Sequence, residues 1–137
     1  MPGAAGDGEK QASSTDKASV ARVVETTDAA TKGEKKDWKI AVVVKDSSNG
    51  WFARMEEGVK QYAADTGINA YQKGPAATDA AQQVQVIQDV INQGINALCV
   101  VPVDPAACDP VLKEARDKGI LVITHEGSTC KNADYDL

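Results

Sequence analysis

The chain has 137 residues, 42% of them apolar and 26% charged, enough for one water-soluble domain with a real core. Its net charge of −5 argues against a partner made of nucleic acid, which needs a basic surface, and no apolar run approaches the roughly 20 residues that span a bilayer. Three cysteines are too few for a disulfide-framed miniprotein, and a single histidine excludes a metal cluster built on imidazoles.

Residues 1–37 are dominated by small and charged side chains and contain no aromatic residue. Such a segment cannot bury enough apolar surface to offset the entropy of ordering, so it reads as a flexible polar tether. Val20–Val24 is its one apolar exception and predicts a turn or two of helix, with a partner-binding amphipathic helix as the alternative. Met1 is followed by neither the basic start nor the apolar core of a signal peptide.

The folded domain is predicted from residue 38 to residue 137. Ile40–Val44 is an unbroken, β-branched apolar run, the pattern of a parallel strand buried on both faces. Met55, Val59, Tyr62 and Ala63 then fall at helical spacing, and Gly67 ends that helix. Ile68–Tyr71 is a short second strand. Thr78 or Asp79 caps a second helix with the stripe Val84, Ile87, Val90 and Ile91, which Gly94 closes. Ala97–Val101 is the third strand. Asp104-Pro105 or Asp109-Pro110 opens a third helix, since each sets a capping side chain before a proline at the first helical position. That helix carries Val111, Leu112 and Ala115 and stops at Gly119. Ile120–Thr124 is the fourth strand, and His125–Leu137 reads as a loop leading toward another strand, with no fifth strand inside the chain.

This alternation predicts an α/β fold, a doubly wound, flavodoxin-like parallel sheet of order 2-1-3-4 with its topological switch between strands one and three. Ligands of such sheets bind beyond the carboxyl ends of the strands. Those ends carry Lys45, Asp46, Asn49, Trp51 and Phe52 after strand one, Asp104 after strand three and Glu126 after strand four. Two aromatics, an ammonium, an amide and carboxylates suit a small polyol or carbohydrate: ring faces pack on C–H groups while the polar groups bond hydroxyls. Five of them have a competing structural role. Trp51 and Phe52 both stand at the start of a helix and are open to core packing. Lys45 and Asp46 are equally suited to a solvated loop, and Asp104 to capping the third helix. Glu126 has no capping duty and is the best single carboxylate.

No nucleophile elbow, dinucleotide fingerprint or phosphate loop is present, so catalysis, a metal and a cofactor are not expected. The alternative is a small flavodoxin-like signalling domain of the receiver type, with Asp46 and Asp104 imitating its acids, or an enzyme domain. Cys99 falls inside strand three as a buried thiol. Cys108 and Cys130 follow neighbouring strands, which makes them candidates for a disulfide; the rival reading makes Cys108 a thiolate of lowered pKa at a helix terminus.

The segments K-I-A-V-V-V-K-D-S-S-N-G-W-F-A-R-M-E-E-G, Q-V-Q-V-I-Q-D-V-I-N-Q-G-I-N-A-L-C-V-V-P-V-D-P and A-R-D-K-G-I-L-V-I-T-H-E-G-S resemble the N-terminal lobe of type I periplasmic sugar-binding proteins. The resemblance covers Trp38–Leu137. It is nearest the branch of autoinducer-2 and rhamnose receptors, on Lys45 and Gly74-Pro75. It implies a non-catalytic solute receptor, exported to the periplasm or lipid-anchored at the cell surface, that serves the membrane permease of an ABC importer or a chemoreceptor. Two lobes close on the ligand like a hinged trap. By position, Lys45 matches a lysine contacting autoinducer-2, Trp51 and Phe52 an aromatic pair flanking the sugar, and Glu126 an aspartate bonding ligand hydroxyls. Glu126 is one methylene longer than that aspartate, and Gly127 stands in place of a sugar-clasping arginine, which disfavours a ribose-like ligand. Residues 1–37 are similar to the spacer behind a lipid-anchored cysteine. Family members are longer, so the second lobe is expected to be absent here. The single lobe is expected to fold alone, to bind at ~1 mM or weaker, and to form a homodimer through its exposed cleft and sheet edge.

Overall fold

The computed structural model describes residues 17–30 and 37–137. The elements run α1 (Lys17–Ala30), β1 (Lys39–Val43), α2 (Gly50–Thr66), β2 (Asn69–Lys73), α3 (Ala80–Asn92), β3 (Ala97–Val100), α4 (Pro105–Asp117), β4 (Leu121–Thr124) and β5 (Tyr135–Asp136). All strand pairs are parallel, in the order β2-β1-β3-β4-β5. The doubly wound α/β class and the 2-1-3-4 order follow the sequence pattern.

The helix boundaries obey the local chemistry. Asn49 caps α2 by accepting from the Trp51 amide, and Gly67 ends it in the left-handed region at φ 74. Asp79, not Thr78, caps α3 through the Gln82 amide. Asp104 caps α4 with Pro105 at its start, so the second Asp-Pro pair falls inside the helix. Pro110 stands in the second turn, where its ring forfeits the bond that an amide would make to the Ala106 carbonyl.

Alternate strand residues Ala41, Val43, Leu98, Val100 and Val122 meet Ile87, Val90 and Ile91 of α3 and Val111, Leu112 and Ala115 of α4, forming the main core. On the opposite face a smaller cluster joins Val44, Phe52 and Val101, with Val42 and Met55 against it. Beside that cluster a groove of about 540 Å³ is lined by Ile40, Val42, Met55, Val59, Tyr62 and Cys99. Strand one was expected to be buried on both faces, yet its Ile40 and Val42 are only half-buried. The cause is tertiary: α2 does not cover the whole of that face.

Two further expectations are corrected. The chain does contain a fifth strand, because Tyr135 and Asp136 pair with Ile123 and Thr124. Two residues are too few to show a period of two, so only the ladder reveals them. Within the expected tether, the turn or two of helix expected at Val20–Val24 extends over Lys17–Ala30. Its Arg22 guanidinium lies 3.5 Å from the buried Asp134 carboxylate and donates to the Arg116 carbonyl at 3.2 Å, while Thr26 is buried. A tertiary ion pair thus holds a stretch that has too little apolar surface to dock by itself. The rest of the tether, residues 1–16 and 31–36, lies outside the described residues.

Candidate functional site

The register places Val43, Val100 and Thr124 at one level across β1, β3 and β4. Above that level the ladder takes one more step, with the Val101 amide bonded to the Val43 carbonyl at 2.9 Å and the His125 amide to the Val100 carbonyl at 2.8 Å. Lys45, Pro102 and Glu126 each stand two residues past the shared level. Two strand spacings separate Lys45 from Glu126, roughly 10 Å at the backbone. Trp51 occupies the first turn of α2, which departs from the same end of β1, and it is 65% exposed. The carboxyl edge of the sheet therefore carries all three.

Lys45, Trp51 and Glu126 are also the candidates whose side chains have no other duty among the described residues. The other four hold the scaffold. Asn49 and Asp104 spend their side-chain oxygens on helix caps, bonding the amides of Trp51 at 2.9 Å and Ala106 at 3.0 Å. Phe52 is 7% exposed against Val44 and Val101, so of the aromatic pair it is the core member. The reason is helical geometry: adjacent residues at the start of α2 point about 100° apart, and only one of them can meet the sheet. Asp46 accepts from the Ser48 amide at 2.7 Å, the Ser48 hydroxyl at 2.6 Å and the Thr78 hydroxyl at 3.3 Å. Those bonds, from Ser48 above all, hold its carboxyl below the ordinary value.

Asp46 therefore braces the β1–α2 loop against the β2–α3 loop, and Ser47 adds to this by donating its amide and hydroxyl to the Pro75 carbonyl at 2.9 and 3.1 Å. Gly74 lets the loops approach, because a Cβ there would lie 2.8 Å from Val44 Cγ2.

The turn after β4 is held more tightly still. Glu126 is the only non-glycine with positive φ among the described residues, at 57°. A residue kept in that region needs support from its surroundings. Asp136 supplies it by accepting from the Thr124 hydroxyl at 2.7 Å and the Gly127 amide at 2.9 Å, and the Glu126 amide bonds the Leu137 carbonyl at 3.2 Å. A Cβ on Gly127 would come within 2.8 Å of Thr124 Cβ and 3.1 Å of Pro102 Cγ. The backbone therefore has no room for a larger residue at the position where the family resemblance expects arginine.

One residue that positions the rim escaped the sequence reading. Gln83 of α3 is fully buried. Its amide nitrogen donates to the Val44 carbonyl at 3.1 Å and the Val101 carbonyl at 2.8 Å, and its oxygen accepts from the Val103 amide at 2.8 Å and the Cys108 thiol at 3.4 Å. It clamps the exits of β1 and β3 together directly beneath the rim. The signal was legible: Gln83 lies in phase with Ile87, Val90 and Ile91, a polar residue on an apolar stripe.

The cysteines are all free thiols. The bridge expected between Cys108 and Cys130 is not formed in the structure, where Cys108 turns its hydrogen toward Gln83 instead. Burial, with Asp104 and Asp109 adding to it, pushes the Cys108 thiol up to about 11. That overturns the alternative of a thiolate of lowered pKa. Burial likewise pushes Cys130 up to about 12, reinforced by Asp109, Cys108 and Asp136, and raises Cys99.

The pattern of the periplasmic binding protein domain matches residues 40–136. The chain belongs to that family. The D-ribose/D-allose-binding protein of Pseudomonas aeruginosa is 34% identical over 88 residues, 62% of this chain and 28% of that protein. LsrB from Clostridium saccharobutylicum, solved in complex with AI-2, superposes with a TM-score of 0.62 at 33% identity, covering 64% of this chain and 27% of LsrB. A solute-binding protein from Burkholderia graminis, solved in complex with D-arabinose, gives 0.64 at 26% identity, covering 72% and 35%. The chain thus spans roughly a third or less of the proteins it matches. These relatives are binding proteins rather than enzymes, and periplasmic binding proteins are exported. The chain shares one lobe of their fold. The receiver-type alternative falls away with this membership.

Proposed function

We propose that residues 38–137 are the N-terminal lobe of a receptor for a sugar or sugar-like small molecule, which it delivers to the membrane permease of an ABC importer. The observation that carries this reading is the rim itself: an ammonium (Lys45) and a carboxylate (Glu126) with no protein partner among the described residues face one edge beside an exposed indole (Trp51). Leaving charged donors and acceptors uncommitted around an aromatic face is what recognition of a hydroxyl-rich ring requires. Asp46, Asn49, Asp104 and Phe52 contribute by fixing the loops rather than by touching ligand. Autoinducer-2 is one ligand of suitable size and polarity, and the lysine at Lys45 supports it over an aldopentose of the ribose type. A second lobe, outside this sequence, supplies the remaining contacts and the closure that excludes water. The stretch 1–37 leads to a lipid anchor, with its helix α1 docked on the lobe through Arg22 and Asp134.

The test is titration of the isotope-labelled chain with D-ribose, D-arabinose, L-rhamnose, xylitol and autoinducer-2, followed by amide chemical shifts. At least one should move signals around Lys45, Trp51 and Glu126 with an affinity of ~1 mM or weaker. Lys45→Ala and Glu126→Ala should each abolish that response. Shifts centred elsewhere, or micromolar affinity for this lobe alone, would refute the reading. The half-covered sheet face and the β2 edge support self-association of the lobe, against which light scattering showing only monomer at high concentration would count.

A further inference from the structure

We propose that Cys108 and Cys130 are partners in a structural bridge, closing into an intramolecular disulfide when the exported chain folds in the presence of a small-molecule or protein disulfide. Cys108 lies in the first turns of α4 and Cys130 in the connection between β4 and β5; both are buried, at 0% and 8% exposure, in one core cluster. The residues that follow them are tied directly together. The Asp109 carboxylate accepts from the Lys131 amide at 2.9 and 3.2 Å and from the Asn132 amide at 3.1 Å. One short side chain thus bridges the two backbones at the residues next to the two thiols. Cys108 also acts on the Cys130 thiol electrostatically, as only a near neighbour does.

Closing the bridge costs little in hydrogen bonding. Cys108 would turn away from Gln83, whose oxygen keeps the stronger bond from the Val103 amide at 2.8 Å. Cys99 does not compete, because it lines the groove on the opposite face of the sheet. The family's exported location supplies an oxidising compartment.

With oxidised glutathione as the oxidant, the thiolate of one cysteine attacks a glutathione sulfur and expels the other half as a thiolate. The second cysteine's thiolate then attacks the protein sulfur of this mixed disulfide and expels the second glutathione. The protein loses two electrons and two protons; the oxidant gains both pairs as two thiols. With thiols held near 11 and 12, no more than roughly one in 10⁴ is ionised at neutral pH, so exchange in the folded state is slow. The bond therefore belongs to folding. Once made, it joins the helix that starts at Asp104 to the loop that follows Glu126, bracing two parts of the rim.

The experiment is to refold the full chain from urea in a reduced/oxidised glutathione buffer, quench with an alkylating reagent and record intact mass. The expected product is lighter by two hydrogens, takes one alkyl group at Cys99, and yields a linked peptide joining Cys108 to Cys130. Its thermal midpoint should exceed that of the reduced chain by on the order of 10 °C. Cys99→Ser should then take no alkyl group, and Cys130→Ser should lose the linked peptide. Where Cys130→Ser does not fold, the Cys99→Ser result decides alone. Three alkylated cysteines, a retained glutathione adduct, or a bridge through Cys99 would overturn the proposal.

Discussion

Replacing Gln83 with leucine tests the most consequential polar contact in the domain. The two side chains have similar volume, so the change deletes hydrogen bonds without opening a large cavity. The Val44 and Val101 carbonyls lose their donor and the Val103 amide its acceptor, at 3.1, 2.8 and 2.8 Å in the native chain. A buried polar group left unpaired costs about 1–3 kcal/mol, and three of them cost about 6 kcal/mol at mid-range. Burying leucine returns about 2 kcal/mol. The net loss is about 4 kcal/mol, a large share of the roughly 5–15 kcal/mol that holds a domain together. In urea this moves the unfolding midpoint down by about 2–2.7 M with an unchanged slope. Far-ultraviolet circular dichroism against urea measures it, and the exposed neighbour Gln82→Leu, expected to change stability by less than about 0.5 kcal/mol, is the control. A loss below about 1 kcal/mol for Gln83→Leu, with the slope intact, would mean that Gln83 does not clamp β1 to β3.

The adjacent aromatics should separate sharply: Phe52→Ala is expected to cost about 3–5 kcal/mol in urea unfolding, and Trp51→Ala less than about 0.5 kcal/mol. Equal costs would refute their assignment to core and rim. Gly127→Ala should destabilise by about 1–3 kcal/mol, since its methyl would meet Thr124 and Pro102; a neutral result would show that the turn yields freely. Asp46 titrates below its ordinary value of 3.8, so its contribution is present above that value and is lost as pH falls through the lowered one. The gap in thermal midpoint between wild type and Asp46→Asn should therefore be constant at neutral pH and shrink at strongly acidic pH; a gap independent of pH would remove the loop-bracing role of its charge.

Much of this protein was legible along the chain. Four apolar runs spaced by helical stripes leave few arrangements besides a doubly wound sheet, because right-handed crossovers fix the hand of each connection. Caps at Asp79 and Asp104 and the stop at Gly67 follow from backbone groups within a few residues of each side chain; the same local logic could have found the Asn49 cap, where the sequence reading has only a ligand contact. The rim was legible as a set of loops, since strand ends can be counted. Its division of labour was not. Whether a carboxylate or a ring faces ligand or scaffold depends on partners far away in sequence: Phe52 on Val101, Asp46 on Thr78, the Glu126 turn on Asp136.

By itself the sequence determined what depends on near neighbours, helix, strand and cap, and their alternation implied the order of the sheet. Only the tertiary structure decided that Gln83 ties two strand exits together, that Arg22 draws α1 onto Asp134, and that Tyr135–Asp136 is a strand at all. Each of those rests on an interaction between distant segments, whose strength depends on burial and distance that no local pattern records.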